Sequence, residues 1–230
     1  MKIVLKFGGS VLFEDERINT RIIKRYAYLI DQISQKHEVN IVVGGGELAR
    51  KYIEALDNLG APESFKDLMG IEISRINAQL FITALKDLAY PVPPKNFDEV
   101  IRALNSGKIV VCGGLIPGQS TNAVASFIAE QMGADQLINI TDVDYVYTDD
   151  PKLNPEAKPI EEMKADDFID LIMKNTGNAG TYKLFDVTAA QIIRRSRILL
   201  KFVSGKDPEN ILKAVNNEKV GTIIRHELRR

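Results

Sequence analysis

The stretch Lys2-Ile3-Val4-Leu5-Lys6-Phe7-Gly8-Gly9-Ser10 opens the chain with a strand-forming run that ends in two glycines. The same arrangement recurs at residues 41–46, where three glycines follow the apolar run, and at residues 109–114. Because the carboxyl ends of parallel strands share one edge of an α/β sheet, we expect the three turns to meet there. Glycine lets the backbone turn sharply and approach a ligand closely, so the pattern predicts a site for a large phosphorylated molecule.

The composition narrows the class of protein. The chain has 230 residues, is 45% hydrophobic and 27% charged, and carries a net charge of -1. This balance argues against nucleic acid or an anionic membrane as a partner. No apolar stretch approaches the roughly 20 residues that span a bilayer, and no signal-peptide pattern opens the chain, so we expect a cytoplasmic protein. Cys112 is the single cysteine, and its apolar surroundings predict a core residue.

Strand-like runs alternate with helical periodicity along the chain. Strands are predicted at residues 2–7, 41–43, 109–112, 136–141, 198–203 and 220–224. Helices are predicted at residues 17–34, 47–59, 64–90, 97–104, 121–132, 165–174 and 184–196, and after the capping pair Asp207-Pro208. This alternation predicts an α/β fold with a central, mostly parallel sheet covered on both faces, which is a three-layer αβα sandwich.

The first two glycine turns each combine backbone donors with a cation. Lys6 precedes the first turn, and Arg50 lies one helical turn after the second. Phosphate suits such a nest of N–H groups with a nearby cation, although a tight structural turn would also explain the first motif. Three consecutive glycines cost conformational entropy, about 1 kcal/mol or more each, which favours a ligand at the second turn. Neither turn matches the P-loop or the dinucleotide-binding pattern.

The segment Thr141-Asp142-Val143-Asp144-Tyr145-Val146-Tyr147-Thr148-Asp149-Asp150-Pro151 is the most distinctive local sequence. A solvated loop with turn-forming aspartates is one interpretation. The other is a nucleoside pocket, because tyrosines and a valine alternate with the acids at the end of a buried strand. An apolar wall would hold adenine, and a carboxylate would hold the ribose.

Taken in order, the motifs resemble those of the amino acid kinase superfamily. The motifs are Lys-x-Gly-Gly-Ser at the start, Gly-Gly-Gly before a helix, Gly-Gly-x-x-Pro-Gly-x-Ser-Thr mid-chain and Thr-x-Val-Asp-x-Val-Tyr-Thr-x-Asp-Pro. Within this superfamily the chain is similar to archaeal-type uridylate kinases, which phosphorylate UMP with ATP. The segments Gly44-Gly45-Gly46-Glu47-Leu48-Ala49-Arg50-Lys51-Tyr52-Ile53 and Phe65-Lys66-Asp67-Leu68-Met69-Gly70-Ile71 carry this closer likeness. The resemblance spans essentially the whole chain.

The resemblance implies roles for particular residues. Lys6 would neutralise the transferred phosphoryl group, Arg50 would lie where the phosphates of the two nucleotides meet, and Asp186 would orient the lysine. Asp186 could equally be only an acid at a helix N-terminus. The implied ATP-binding residues are Gly9, Ser10, Gly46, Arg50, Thr141, Tyr147 and Asp150. The implied UMP-binding residues are Gly45, Asp67, Leu115, Ile116, Pro117, Gly118, Gln119, Ser120 and Thr121.

The resemblance also implies the organisation of the whole protein. Residues 1–230 would form one domain, with the acceptor-nucleotide half at about 1–135 and the ATP half at about 136–230. Mg²⁺ would be held through the ATP phosphates, without a protein metal site. The assembly would be a homohexamer built from three dimers, and the broad apolar character of residues 64–90 is compatible with a subunit contact.

Three positions depart from the family pattern, and two alternatives stay open. Asn122 stands where the family often has Asp, and Asp142 and Tyr145 stand where Asn and Gly are usual. One alternative is a sister kinase acting on isopentenyl phosphate, glutamate or aspartate. The acceptor stretch lacks the histidine of isopentenyl phosphate enzymes, and 230 residues leave no room for the regulatory domain of aspartate kinases. The other is a non-catalytic nucleotide-binding protein, against which the two cations Lys6 and Arg50 argue.

Overall fold

The computed structural model describes residues 1–15, 17–151, 153–175 and 185–226, and its central feature is a seven-stranded sheet. The strands are β1 (Lys2–Phe7), β2 (Phe13–Glu14), β3 (Arg17–Ile18), β4 (Glu38–Val43), β5 (Val111–Cys112), β6 (Gln136–Thr141), β7 (Val146–Tyr147), β8 (Pro159–Ile160), β9 (Glu162–Lys164), β10 (Leu199–Ser204) and β11 (Thr222–Arg225). The large sheet has the order β5-β4-β1-β6-β10-β11-β9, and β2-β3 and β7-β8 form two small hairpins.

Parallel pairing dominates the large sheet. β1 is the third strand in this order, lies between β4 and β6, and pairs in parallel with both. β5 and β10 continue the parallel set on either side, while β11 runs antiparallel to β10. The first three strands in this order come from the first part of the chain, and the other four follow residue 135. The β1–β6 pair is therefore the seam between the two parts.

Helices cover both faces of the sheet. They are α1 (Thr20–Ser34), α2 (Gly46–Asn58), α3 (Glu63–Leu85), α4 (Phe97–Leu104), α5 (Thr121–Met132), α6 (Ala165–Asn175), α7 (Val187–Ser196) and α8 (Asn210–Val215). One buried cluster packs α1, α3 and α8 against the sheet, and the other packs α4, α5, α6 and α7 against the opposite face. This arrangement confirms the predicted three-layer αβα sandwich. Among the described residues, no helix is both long and apolar enough to cross a membrane.

Alternation along β1 decides where its lysine points. Ile3, Leu5 and Phe7 belong to the cluster beneath α1 and α3, whereas Val4 belongs to the cluster beneath α5. Because successive side chains of a strand point to opposite faces, Lys6 shares the face of Val4. The ammonium group therefore lies on the side of the sheet that α5 and α7 cover.

Two helix boundaries differ from the sequence prediction because tertiary pairing intervenes. The helix predicted from residue 17 begins at Thr20, since Arg17–Ile18 pairs with Phe13–Glu14 and Asn19 accepts the backbone N–H of Ile22 as the cap. The helix predicted to reach residue 90 gives way after residue 85 to a 3-10 turn over residues 86–88. Residue 89 then forms a bridge with residue 109.

The C-terminal part also departs from the prediction in detail. Asp207 does not cap α8, because its carboxylate accepts the Glu209 N–H and the helix begins later, at Asn210. The helix predicted from Leu184 is present as α7, but Leu184 itself lies outside the described residues. The short strands β8 and β9 were not predicted.

Candidate active site

Lys6 lies near the end of β1 and is buried. Its side chain is only 8% exposed, and within the described residues its ammonium has neither a hydrogen-bond nor an ion-pair partner. Burial lowers the Lys6 pKa from 10.5 to about 8, and the charges of Asp186 and Asp142 partly oppose that shift. Since buried charges in proteins are normally paired, an unpartnered cation in this position calls for an anionic ligand.

The first two glycine turns touch each other directly beyond Lys6. A Cβ added to Gly9 would lie 2.1 Å from the backbone nitrogen of Gly46, and one added to Gly46 would lie 2.4 Å from the carbonyl carbon of Gly9. Gly46 also has a φ of +67°, a conformation that side chains disfavour. Glycine is thus required at both positions, and the predicted donor and acceptor turns meet backbone against backbone.

The second turn forms the N-terminus of α2. Gly45 is its N-cap residue and supplies no side-chain cap, so the first N–H groups of the helix are available to a ligand. The helix dipole adds partial positive charge at this end. Arg50 is exposed one turn further along and forms no ion pair within the described part of the chain. The helix N-terminus, Arg50 and Lys6 thus give the site three attractions for phosphate.

Asp186 lies at the start of α7, and its two carboxylate oxygens have different partners. Its Oδ1 accepts the backbone N–H of Ala189 at 2.9 Å, which makes it the N-cap of α7. Its charge also acts on Lys6. Its second oxygen, Oδ2, accepts a short hydrogen bond from the hydroxyl of Ser120.

Residues 115–121, called here the acceptor loop, connect the third glycine turn to α5. Asp67 on α3 accepts the backbone N–H of Gly118 at 2.8 Å, so the structure brings this predicted ribose ligand onto the loop. The loop is exposed from residue 116 to residue 120. Leu115, by contrast, packs in the core beneath α5, so its side chain is not directed at a ligand. Thr121 lies half-buried near Gly44.

The predicted adenosine-side residues follow β6 on the other side of Lys6. Thr141 ends this strand and donates to Asp142 at 3.1 Å. The rings of Tyr145 and Tyr147 meet edge to face, with centroids 6.5 Å apart. Asp150 lies half-buried beyond the β7 strand, and Ser10 lies half-buried in the 3-10 turn after Gly9. Of these residues, Thr141 adjoins the first glycine turn, since a Cβ added to Gly8 would lie 3.8 Å from its Cα.

Three polar residues of α3 position the glycine turns, and sequence reasoning missed them. Asn77 donates to the carbonyls of Gly44 at 2.9 Å and Gly45 at 3.1 Å. Ser74 accepts the N–H of Gly114 at 2.7 Å, and Arg75 donates to the Gly114 carbonyl at 3.1 Å. Buried polar groups inside an apolar helix were the available signal, since such groups need specific partners.

The carboxylates of the described residues do not form a metal centre. No group of three or more histidine, cysteine, aspartate or glutamate side chains in these residues could hold a metal ion. Asp142 is exposed, and its charge acts on Lys6. Cys112 is buried as predicted, and burial raises the pKa of its thiol to about 12.

Comparison with known proteins agrees with this geometry. The family model described as the amino acid kinase family matches residues 1–204. The chain belongs to the amino acid kinase family. The resemblance found in the sequence motifs is thereby confirmed.

Several relatives within this family match over nearly the full length. The chain is 47% identical to the uridylate kinase of Methanocella arvoryzae, covering 98% of this chain and 100% of that protein. It is 43% identical to the uridylate kinase of Methanobrevibacter smithii, covering 96% and 98%. The crystal structure of uridylate kinase from Archaeoglobus fulgidus aligns with a TM-score of 0.85 at 40% identity, covering 97% and 100%. UMP kinase from Bacillus anthracis, 21% identical with a TM-score of 0.80, shares the fold.

Proposed function

We propose that this amino acid kinase transfers the γ-phosphoryl group of ATP to UMP, giving UDP and ADP. Uridylate kinases that match at 43–47% identity over nearly the whole chain support this acceptor over an amino acid or isopentenyl phosphate. The reaction would serve pyrimidine nucleotide synthesis. The acceptor half at about 1–135 and the ATP half at about 136–230 remain predictions, and the β1–β6 seam supports them because it divides the sheet there.

The observation that carries the proposal is the buried, unpartnered ammonium of Lys6 at the meeting of two glycine turns. In the proposed reaction a UMP phosphate oxygen attacks the γ-phosphorus of ATP in line. The nucleophile is already an anion, so no general base is needed. Catalysis then rests on holding two mutually repelling phosphates together and on neutralising charge as it develops.

The predicted residues have roles in this mechanism, except for the side chain of Leu115, which is buried in the core. Lys6 and Arg50 neutralise the phosphates, and Gly9, Ser10 and Gly46 supply backbone or hydroxyl donors on the ATP side. Thr141, Tyr147 and Asp150 hold the adenosine, while Gly45, Asp67 and the acceptor loop hold UMP. Asp186 orients Lys6. Mg²⁺ would enter with ATP and offset the charge of its phosphates.

We further propose a cytoplasmic homohexamer, a trimer of dimers. Exposed apolar side chains on α3 support a subunit contact, because Phe65 and Ile76 are each 59% exposed and Leu68 is 44% exposed. Apolar groups of this size on one helix are typical of buried interfaces. Light scattering at micromolar concentration tests the hexamer, and a monomeric mass would contradict it.

An acceptor panel tests the proposed function. Purified protein is assayed for ATP-dependent ADP formation with UMP, CMP, isopentenyl phosphate, glutamate and aspartate as separate acceptors. We expect the highest kcat/KM with UMP. A preference for another acceptor would favour the sister-kinase alternative, and no turnover with any acceptor despite nucleotide binding would favour a binding protein.

Replacing Lys6 separates catalysis from binding. We expect Lys6→Ala to lower kcat by about a hundredfold or more, because the cation acts on charge that develops during transfer. The Kd for UMP should change little, since the acceptor loop and Asp67 are untouched. Near-normal turnover would refute the assigned role of Lys6.

A further inference from the structure

One hydroxyl in the acceptor loop connects two helices that approach Lys6. Ser120 Oγ accepts the backbone N–H groups of Asn122 at 3.1 Å and Ala123 at 3.0 Å, which caps α5. The same hydroxyl donates its proton to Asp186 Oδ2. A serine hydroxyl has one donor and two acceptor positions, so every hydrogen-bonding capacity of Ser120 is used.

The Asp186 carboxylate is held at both oxygens as a result. Oδ1 is fixed by the N–H of Ala189 and Oδ2 by the Ser120 hydroxyl. Without the serine, the carboxylate would retain one tether and could rotate about it. The charge of Asp186 acts on Lys6, as does that of Asp142, so a carboxylate held in place gives that cation constant support.

The acceptor loop is anchored at its other end as well. Gly118 donates to Asp67 on α3, two residues before Ser120. The loop therefore spans from an α3 carboxylate, placed on the acceptor side, to the Asp186 carboxylate next to the transfer point.

We propose that Ser120 is a positioning residue, whose hydroxyl holds the Asp186 carboxylate in place so that its charge supports the Lys6 ammonium. Among the described residues of the neighbouring elements, Asp142, which follows β6, is the only other carboxylate whose charge acts on Lys6. The strand neighbours of Lys6 are Val42 and Asn139, and α5 carries no charged residue before Glu130.

Ser120→Ala tests this proposal against a matched control. The control is Asn96→Ala, which removes the side-chain cap of α4 away from Lys6. Both variants lose a helix cap, and only the first loses the bond to Asp186. We expect Ser120→Ala to lower kcat at pH 8 by about tenfold to a hundredfold, the effect of losing a hydrogen bond to a charged group. Asn96→Ala should keep the kcat of the wild type and lower only the Tm.

The pH dependence distinguishes positioning from capping. Weaker support by Asp186 lowers the pKa of Lys6, so the basic limb of kcat should move to lower pH in Ser120→Ala. Ser120→Thr restores a hydroxyl and should return this limb toward the position of the wild type. A Ser120→Ala enzyme that loses thermal stability but keeps kcat and the basic limb would overturn the proposal.

The kinetic assay of this inference rests on the proposed function. Chemical modification of Lys6 tests the inference without catalysis and so keeps the two separate. The rate at which acetic anhydride modifies Lys6 is measured against pH by mass spectrometry, without nucleotides. We expect the titration midpoint to fall in Ser120→Ala and in Asp186→Asn, and to fall no further in the double variant, because both remove one interaction. Independent, additive shifts, or none, would overturn the proposal whichever acceptor the enzyme uses.

Discussion

Replacing Lys6 with methionine should make the protein more stable while abolishing its activity. Burial lowers the Lys6 pKa from 10.5 to about 8, so keeping the folded protein charged at neutral pH costs free energy. At 1.36 kcal/mol for each pKa unit, this cost is about 3 kcal/mol. Methionine has a similar volume and no charge, and uncharged replacements of buried charges commonly stabilise proteins. We therefore expect Lys6→Met to raise the free energy of unfolding by up to about 3 kcal/mol at pH 7.

The sign of the pH dependence follows from the lowered pKa. Below pH 8 the lysine is protonated in both the folded and the unfolded protein, and the full cost applies. As the pH rises from 8 to 10.5 the folded protein loses this proton first, so the cost declines and then disappears. The stability difference between Lys6→Met and the wild type should accordingly shrink by about 1 kcal/mol between pH 7 and pH 9.

Urea unfolding at a fixed protein concentration measures both quantities, with kcat assayed on the same preparations. We expect kcat to fall by about a hundredfold or more while the unfolding midpoint rises. If Lys6→Met were less stable than the wild type at pH 7, or if the difference did not depend on pH, the assignment of Lys6 as a strained, unpartnered cation would be wrong.

Three further predictions concern the surroundings of this lysine. Gly9→Ala should lower kcat about a hundredfold, because its Cβ would meet backbone at 2.1 Å and shift the turn by about 1 Å. The control Gly60→Ala lies at a positive φ in open space and should lower only the stability. Equal kcat values for the two variants would contradict this prediction. Asp142→Asn should shift the basic limb of the kcat/KM profile for ATP to lower pH by at most about half a pH unit. The shift is small because this carboxylate raises the Lys6 pKa but is exposed to water, which screens its charge. A shift to higher pH would refute the prediction. Asn77→Ala should raise the KM for UMP and lower the free energy of unfolding by about 1–3 kcal/mol, because the carbonyls of Gly44 and Gly45 lose their donor. An unchanged KM would contradict the positioning role of Asn77.

Local signals predicted much of the fold. The predicted bounds of β1, β6, α4 and α5 match the structure, because a β-branched run before glycine, or a capping side chain before an apolar helix, fixes both ends of an element. The end of α3 was wrong, since Ala89 bridges Ile109 from twenty positions away. The hairpin of β2 and β3 was missed, because strands of two residues are too short to show an alternation of apolar and polar residues.

The candidate site could likewise be predicted only in part. Contact between the first two glycine turns was predictable, since strand ends of a parallel sheet share an edge, whereas the contacts of the third turn are with α3. The bond from Ser120 to Asp186 was not, because it joins residues 66 positions apart and either residue alone is explained as a helix cap. The polar side chains of α3 were hidden by the apolar character of that helix. Residue identities reveal which chemistry is present, whereas the partners of each polar group follow only from the packing of distant segments.

The meeting of Gly9 with Gly46 has a consequence for how such a scaffold diversifies. In the proposed reaction, main-chain atoms set the spacing between the group that gives phosphate and the group that receives it, and side-chain substitution does not change main-chain atoms. New substrates must therefore be recruited at the periphery, by changing the loops that grip nucleobase or sugar. The distance over which phosphorus travels would be inherited unaltered by every descendant that keeps the two glycines.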